Sequence, residues 1–153
     1  MRSIMKKSFA AIAAASIAAT AAMADGHALS GDLKITSDMS NPAPRAVMEG
    51  LVADFGAMHP DLNIELTIVD REAWKTQIRN ALTANAPDVV NWYAANRMGP
   101  YVDAGLFEDV SDMYADGSLE GLDAVKGALT LDGKQWGVPY TYYQWGVYYR
   151  EDI

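Results

Sequence analysis

An α/β fold, with a mostly parallel sheet flanked by helices, is predicted by three observations on this sequence. Residues 62–70, "LNIELTIVD", alternate apolar and polar side chains with the period of a strand. Residues 45–60 and 71–86 carry apolar side chains at helical spacing. Segments of the two kinds then alternate along the chain, as strand, helix, strand, helix, strand.

The elements follow in order. "DLKITSD" (32–38) has strand composition, and "NPAP" (41–44) breaks it. Pro42 or Pro44 suits the first turn of a helix, where its missing N–H costs nothing. Across 45–60, Val47, Leu51, Phe55 and Met58 form one apolar face, and Pro60 ends the helix. The strand at 62–70 places Leu62, Ile64, Leu66 and Ile68 on one side. A second helix spans 71–86, with Trp74, Ile78 and Leu82 one turn apart. "PDVVNWY" (87–93) reads as a short buried strand opening into a polar, aromatic loop. Residues 97–110 predict a short helix capped by Gly105, with Leu106 and Phe107 packing back. A weaker helix at 118–130 is interrupted by Gly121 and Gly127. In 130–140, Asp132-Gly133 supplies the positive-φ pair of a tight hairpin turn, and "WGVYYR" (145–150) predicts a last strand.

The first 24 residues stand apart from this fold. Arg2, Lys6 and Lys7 precede an Ala-rich apolar stretch from Phe9 to Ala22, and "AMA" (22–24) offers a signal-peptidase site. That apolar stretch is shorter than the roughly 20 residues that span a bilayer, so a cleaved signal peptide is expected over 1–24, with export to the periplasm. The protein carries a net charge of −8, and the only charged residues of the signal are basic, so the mature chain is more acidic still. Such acidity argues against nucleic acid and against insertion into an anionic membrane surface. An exported chain with no Cys suits a bacterial periplasm better than a disulfide-built extracellular scaffold.

Ligands of open α/β sheets bind beyond the carboxyl ends of the strands. Those ends here are "TSDMSN" (36–41), "VDREAW" (69–74) and "NWYAANR" (91–97). They offer Asp38, Trp74, Trp92, Tyr93, Asn96 and Arg97, a mixture of aromatic planes and hydrogen-bonding groups suited to a sugar. A pyranose packs its C–H face on an aromatic ring and directs its hydroxyls to carboxylate, amide and guanidinium. Trp74 shares its spacing with Ile78 and Leu82, so it serves either the core or the site. Trp92, at a strand end among polar residues, favours the ligand. His27 and His59 have no evident catalytic partner, and no nucleophile elbow, zinc-protease, phosphate-loop or dinucleotide motif is present. The acidic group Glu108, Asp109 and Asp112 reads as a solvated face. Catalysis is therefore not expected, and no cofactor or metal is.

Several segments resemble a known family. "VMEGLVADFGAMHPDLNIEL", "APDVVNWYAANRMGPYVDAGLFEDVSD" and "LDGKQWGVPYTYYQWGVYYREDI" occur in the order seen in bacterial extracellular solute-binding proteins, the sugar-binding subunits of ABC importers. The resemblance covers nearly the whole mature chain. It implies a periplasmic-binding-protein-like (type II) fold of two α/β lobes that close on a ligand held between them, without catalysis. It makes Trp92 a sugar-stacking aromatic and Asp38, Asn96 and Arg97 polar ligand contacts. It places Trp74 where a contact from the second helix is often found. Asn96, where the maltodextrin-binding type has a carboxylate, and an extra residue before it separate this sequence from that type.

Members of that family are about three times longer, so this chain is expected to be an N-terminal portion truncated at the crossover to the second lobe. Residues 25–138 are then the N-terminal lobe, 139–144 the hinge crossover and 145–153 the start of the C-terminal lobe. Seven of the fourteen residues from Trp136 to Tyr149 are Trp or Tyr, and the crossover beneath the ligand explains the concentration. Tyr140 and Tyr143 are candidates to face the sugar, while Val147 and Tyr149 are assigned to core. The expected partners are a sugar or oligosaccharide and the transmembrane permease subunits, with a monomer at full length. The alternatives are the same fold binding a polyamine or glycerol phosphate, or a periplasmic carbohydrate-active enzyme working through two carboxylates.

Overall fold

The computed structural model describes residues 29–117, 119–141 and 146–152. The organising unit is a parallel pair, β1 (Gly31–Ser37) and β2 (Leu62–Ile68), in register from Gly31 opposite Leu62 to Ser37 opposite Ile68. β3 (Val89–Val90) joins β1 on its other side, also parallel, giving the order β2-β1-β3. The expected parallel sheet is thus present, although only two of the residues predicted for the third strand pair.

Two helices make the crossovers, α1 (Pro42–Met58) and α2 (Arg71–Ala84). Because β2 and β3 lie on opposite sides of β1, right-handed connections put α1 and α2 on opposite faces of the sheet. α1 starts as expected, with Asn41 extended and proline in the first turn. Asp70 caps α2, its carboxylate accepting the backbone N–H groups of Glu72 and Ala73 at 2.9 and 3.0 Å.

The face α1 turns inward shares only Phe55 with the expected one. Val47 and Leu51 are each 61% exposed and Met58 is exposed as well. Pro44, Met48, Val52, Phe55 and Gly56 are the partly buried positions, and Gly56 sits close to the Ile64 side chain. α1 carries two adjacent apolar stripes. Spacing alone does not distinguish them; the path of the chain over β2 does. By contrast the α2 stripe packs as predicted. Ile78 is 0% exposed, and Trp74 and Leu82 are buried beside it. Val69, Val90, Trp92, Tyr101, Leu106 and Phe107 pack against them.

Beyond β3 a 3₁₀ turn (Ala95–Arg97) leads into α3 (Gly99–Val102). Gly105 takes a left-handed φ of 64°, and Leu106 N–H bonds Tyr101 C=O at 2.9 Å, which returns Leu106 and Phe107 to the core as expected. α4 (Ser111–Ala115) was not anticipated, since it is short and its apolar pattern weak. The expected weak helix at 118–130 is reduced to α5 (Asp123–Lys126) and a 3₁₀ turn (Gly127–Leu129). The hairpin forms, with β4 (Thr130–Leu131) antiparallel to β5 (Lys134–Gln135) around positive-φ Asp132 and Gly133.

The hairpin is tied to α4. Gln135 N–H bonds Ser111 Oγ, Val110 N–H bonds Gln135 C=O, and Tyr114 O–H bonds Gly137 C=O. Asp109 completes the tie, accepting from Ser111 N–H and pairing with Lys134 at 2.9 Å.

The strand predicted at 145–150 is not formed over the described residues 146–150. Val147 and Tyr149, assigned to core by sequence, are exposed, Val147 at 90%. A strand requires a neighbour to satisfy its ladder, and no described strand pairs with these residues. Residues 1–28, which include the expected signal peptide, lie outside the described residues. No helix among the described residues is long and apolar enough to cross a membrane.

Two outcomes follow from this packing. Ile78→Ala should destabilise the fold by about 2–5 kcal/mol, measured by equilibrium urea unfolding, because a fully enclosed side chain leaves a cavity. Ser111 and Lys134 hold the Asp109 carboxyl down at about 2. A depressed carboxylate contributes stability that is complete above its ordinary value of 3.8 and disappears as pH falls through 2. Acid titration of Asp109→Asn should therefore lack the part of the stability loss that the parent shows in that window.

Candidate functional site

The site is built outward from α2. Trp74 is 3% exposed, and its indole N–H donates to the Asn91 carbonyl at 3.0 Å. This bond ties the first turn of α2 to the chain leaving β3. Trp74 therefore occupies the core and presents no open face, although sequence left it equally placed for the ligand.

The next residues form a short loop with its own closure. Trp92 donates its indole N–H to the Arg97 carbonyl at 2.9 Å. Ala95 takes a left-handed φ of 55°, rare for a residue with a Cβ, and the reversal brings Arg97 back over the aromatic residues. Arg97 lies over the Tyr93 ring, its Cζ 4.5 Å from the centroid. Trp92 meets Tyr93 and Tyr101 edge-on, both at 5.3 Å between centroids. Tyr101 stacks in turn on Phe107 at 5.6 Å. A linked aromatic row thus runs from a partly exposed end at Tyr93 to the core. Beside it is a shallow depression of about 380 Å³ lined by Lys75, Trp92, Arg97, Pro100 and Tyr101.

Of the predicted site residues, the structure brings Trp92, Tyr93 and Arg97 together. Asn96 stands exposed on the same 3₁₀ turn. Asp38 follows β1, is 7% exposed, and faces Arg71 at 3.4 Å through Oδ2, while its Oδ1 is buried without a hydrogen-bond partner among the described residues. Asn91 Oδ1 is buried and unbonded in the same way. Two polar atoms of this kind, at the carboxyl ends of neighbouring strands, carry a desolvation cost that an incoming donor relieves. Tyr140 is exposed in a different depression, with Leu122, Val125 and Pro139. Tyr143 lies outside the described residues.

Sequence reading missed Lys75, Arg79 and Tyr101. Lys75 lies 6.0 Å from the Tyr93 centroid, and Arg79 lies over the Tyr101 ring at 5.3 Å. The legible signal was their helical position, one residue past the buried Trp74 and Ile78 respectively, which flanks the stripe on the same side. Lys75 also pairs with Glu72 at 2.6 Å, which raises its pKa above the usual value while the nearby Arg97 works against it.

Known proteins bear on this arrangement. A family model described as bacterial extracellular solute-binding protein matches residues 40–153. No curated protein sequence matches the chain. Among solved structures, one from work on xylan utilization by the thermophilic bacterium Caldanaerobius polysaccharolyticus is similar with a TM-score of 0.66 and 23% identity, over 71% of this chain and 28% of that one. The GacH receptor of Streptomyces glaucescens, solved unliganded and with acarbose, gives 0.59 and 26% identity over 72% of this chain and 29% of its own. The maltose/maltodextrin-binding domain MalE of Bdellovibrio bacteriovorus, bound to maltotriose, gives 0.57 and 18% over 69% and 27%. This chain spans less than a third of the length of each.

The tie between Trp74 and Asn91 predicts its own perturbation. Trp74→Phe keeps a ring in place but deprives the Asn91 carbonyl of its donor, so the protein should lose about 1–3 kcal/mol of stability in urea unfolding.

Proposed function

The chain belongs to the bacterial extracellular solute-binding protein family, and from that premise we propose that it captures a sugar or oligosaccharide outside the cytoplasmic membrane for an ABC importer. Its described residues form part of a type II periplasmic-binding-protein-like lobe. The family is described as solute-binding, and the GacH neighbour is a receptor.

In this proposal the ligand lies between this lobe and a second one, joined through a crossover at 139–144, and the loaded protein docks on a membrane permease in the periplasm. Closing the lobes removes water from the ligand and commits it for delivery. The supporting observation is the row of Trp92, Tyr93 and Arg97 at the carboxyl end of β3, where ligands of open α/β sheets bind. Trp92 and Tyr93 offer ring surface to the sugar C–H groups. Arg97 and Asn96, exposed on the loop, donate to hydroxyls. Asp38 accepts through Oδ2 and Oδ1 at the end of β1, with Arg71 holding the carboxylate in place. Tyr140 and Tyr143 supply aromatic surface from the crossover. Trp74 acts by positioning Asn91 and Trp92 rather than by contact. Sugar recognition by the acarbose- and maltotriose-bound neighbours supports the ligand class.

A sugar panel read by thermal shift and then calorimetry, on the exported protein at its natural length, tests the reading. At least one saccharide should raise the melting temperature and bind reversibly without new reducing ends appearing. Trp92→Ala should weaken that saccharide by about tenfold or more, the usual effect of removing a buried aromatic anchor. Turnover of the saccharide, or an affinity untouched by Trp92→Ala, defeats the proposal.

A further inference from the structure

The cations around the aromatic row are unusual for this protein. It has 20 acidic and 12 basic residues, so a carboxylate is the ordinary neighbour of any arginine. Arg45 pairs with Glu49, Arg71 with Asp38 and Arg150 with Asp152. Arg79 and Arg97 form no such pair among the described residues. These two arginines lie over the two rings that flank Trp92 in one aromatic row, Arg97 over Tyr93 and Arg79 over Tyr101. Lys75 adds a third cation beside Tyr93, with Glu72 as the one acidic partner of the group.

Stacking on a ring leaves the edge of a guanidinium, and its N–H donors, free to face a ligand. Both arginines are exposed, and Lys75 and Arg97 line the shallow depression beside Trp92. Two unneutralised guanidiniums and an ammonium repel one another across this surface, a cost that an anion bound among them removes. A neutral sugar needs no such excess of positive charge, because hydroxyls are satisfied by amides and by charge-balanced pairs as well. A carboxylate or phosphate matches the fork of the guanidinium in geometry as well as charge.

Resting on the sugar-capture reading above, we propose that the preferred ligand is an anionic saccharide, whose carboxylate or phosphate group is held by Lys75 and Arg79, one turn apart on α2, with Arg97 adding positive charge from the loop, while its ring packs on Trp92 and Tyr93. Arg79 determines the charge preference, since it pairs with no carboxylate among the described residues and stands on α2 rather than on the loop that carries Asn96 and Arg97.

Calorimetry on the exported protein at its natural length tests this with a uronic-acid trisaccharide, the neutral trisaccharide of the same linkage, and a hexose phosphate. In low salt, one anionic probe should bind at least about tenfold more tightly than the neutral one, the effect of a charge-assisted hydrogen bond. Raising the salt to about 0.5 M should shrink that ratio, since exposed charges are screened. Arg79→Gln should bring the ratio towards one, and Arg79→Lys should retain part of it. Tighter binding of the uronate assigns a carboxylate as the recognised group; tighter binding of the phosphate assigns a phosphate. A neutral trisaccharide that binds as tightly as both anionic probes overturns the inference while leaving sugar capture standing, and so does an Arg79→Gln protein that keeps the full ratio. If none of the three probes and no member of the sugar panel binds, sugar capture itself fails and this inference falls with it.

Discussion

The burial of one helical stripe, Trp74, Ile78 and Leu82 on α2, is what the remaining structure depends on. These residues are the centre of the described core, and the segments that follow β3 pack onto them through Trp92, Tyr101, Leu106 and Phe107. The Trp74 indole adds a directional element to that packing, because its N–H must find an acceptor when buried and the Asn91 carbonyl supplies it. The result is a helix register locked to the end of a strand. The loop residues proposed to meet the ligand hang from that junction, since Trp92 follows Asn91 directly and the Arg97 carbonyl accepts from the Trp92 indole.

The hydrogen-bonded closure around the candidate site contrasts with exposed apolar surface elsewhere. β2 alternates partly buried and exposed residues, as a strand with one covered face should. Val89 on β3, Val47 and Leu51 on α1, and Tyr148 beyond the hairpin are all exposed. Among the described residues the sheet has three strands, of which the third pairs through two residues only. A sheet this narrow, with helices that each cover part of a face, leaves much of its apolar surface in water.

Charge is distributed with the same unevenness. The chain is acidic overall, and its basic residues mostly hold local structure in place, as Lys134 does at Asp109 and Arg71 does at Asp38. Around Tyr93 and Tyr101 the balance reverses, with aromatic faces rather than carboxylates beneath Arg97 and Arg79 and a single carboxylate, Glu72, beside Lys75. Cation–π contact offsets part of the repulsion without cancelling the positive potential, so the cations stay available to an outside group. A site of this kind differs chemically from a salt bridge in that its charge is exported rather than neutralised.

Local pattern was enough to determine the alternating elements, the proline-led start of α1, the buried stripe of α2 and the hairpin turn at Asp132-Gly133. Each depends on residues close in sequence, so periodicity and turn chemistry report it directly. The same kind of information located Trp92, Tyr93 and Arg97, because the end of a strand is a local feature and ligand sites in such sheets lie beyond strand ends. Tertiary structure decided what local pattern leaves degenerate. α1 has two apolar stripes, and only the path of the crossover over β2 chose Met48 and Val52 over Val47 and Leu51. Trp74 fits core and ligand equally by spacing, and the carbonyl of Asn91, 17 residues away, settled it inward. Residues 146–150 have strand composition but no described partner, and strand formation is a property of pairs. Lys75 and Arg79 look like ordinary helix-surface cations in the sequence; their meeting with Tyr93 and Tyr101 is a contact between separate segments, which only the folded chain brings together.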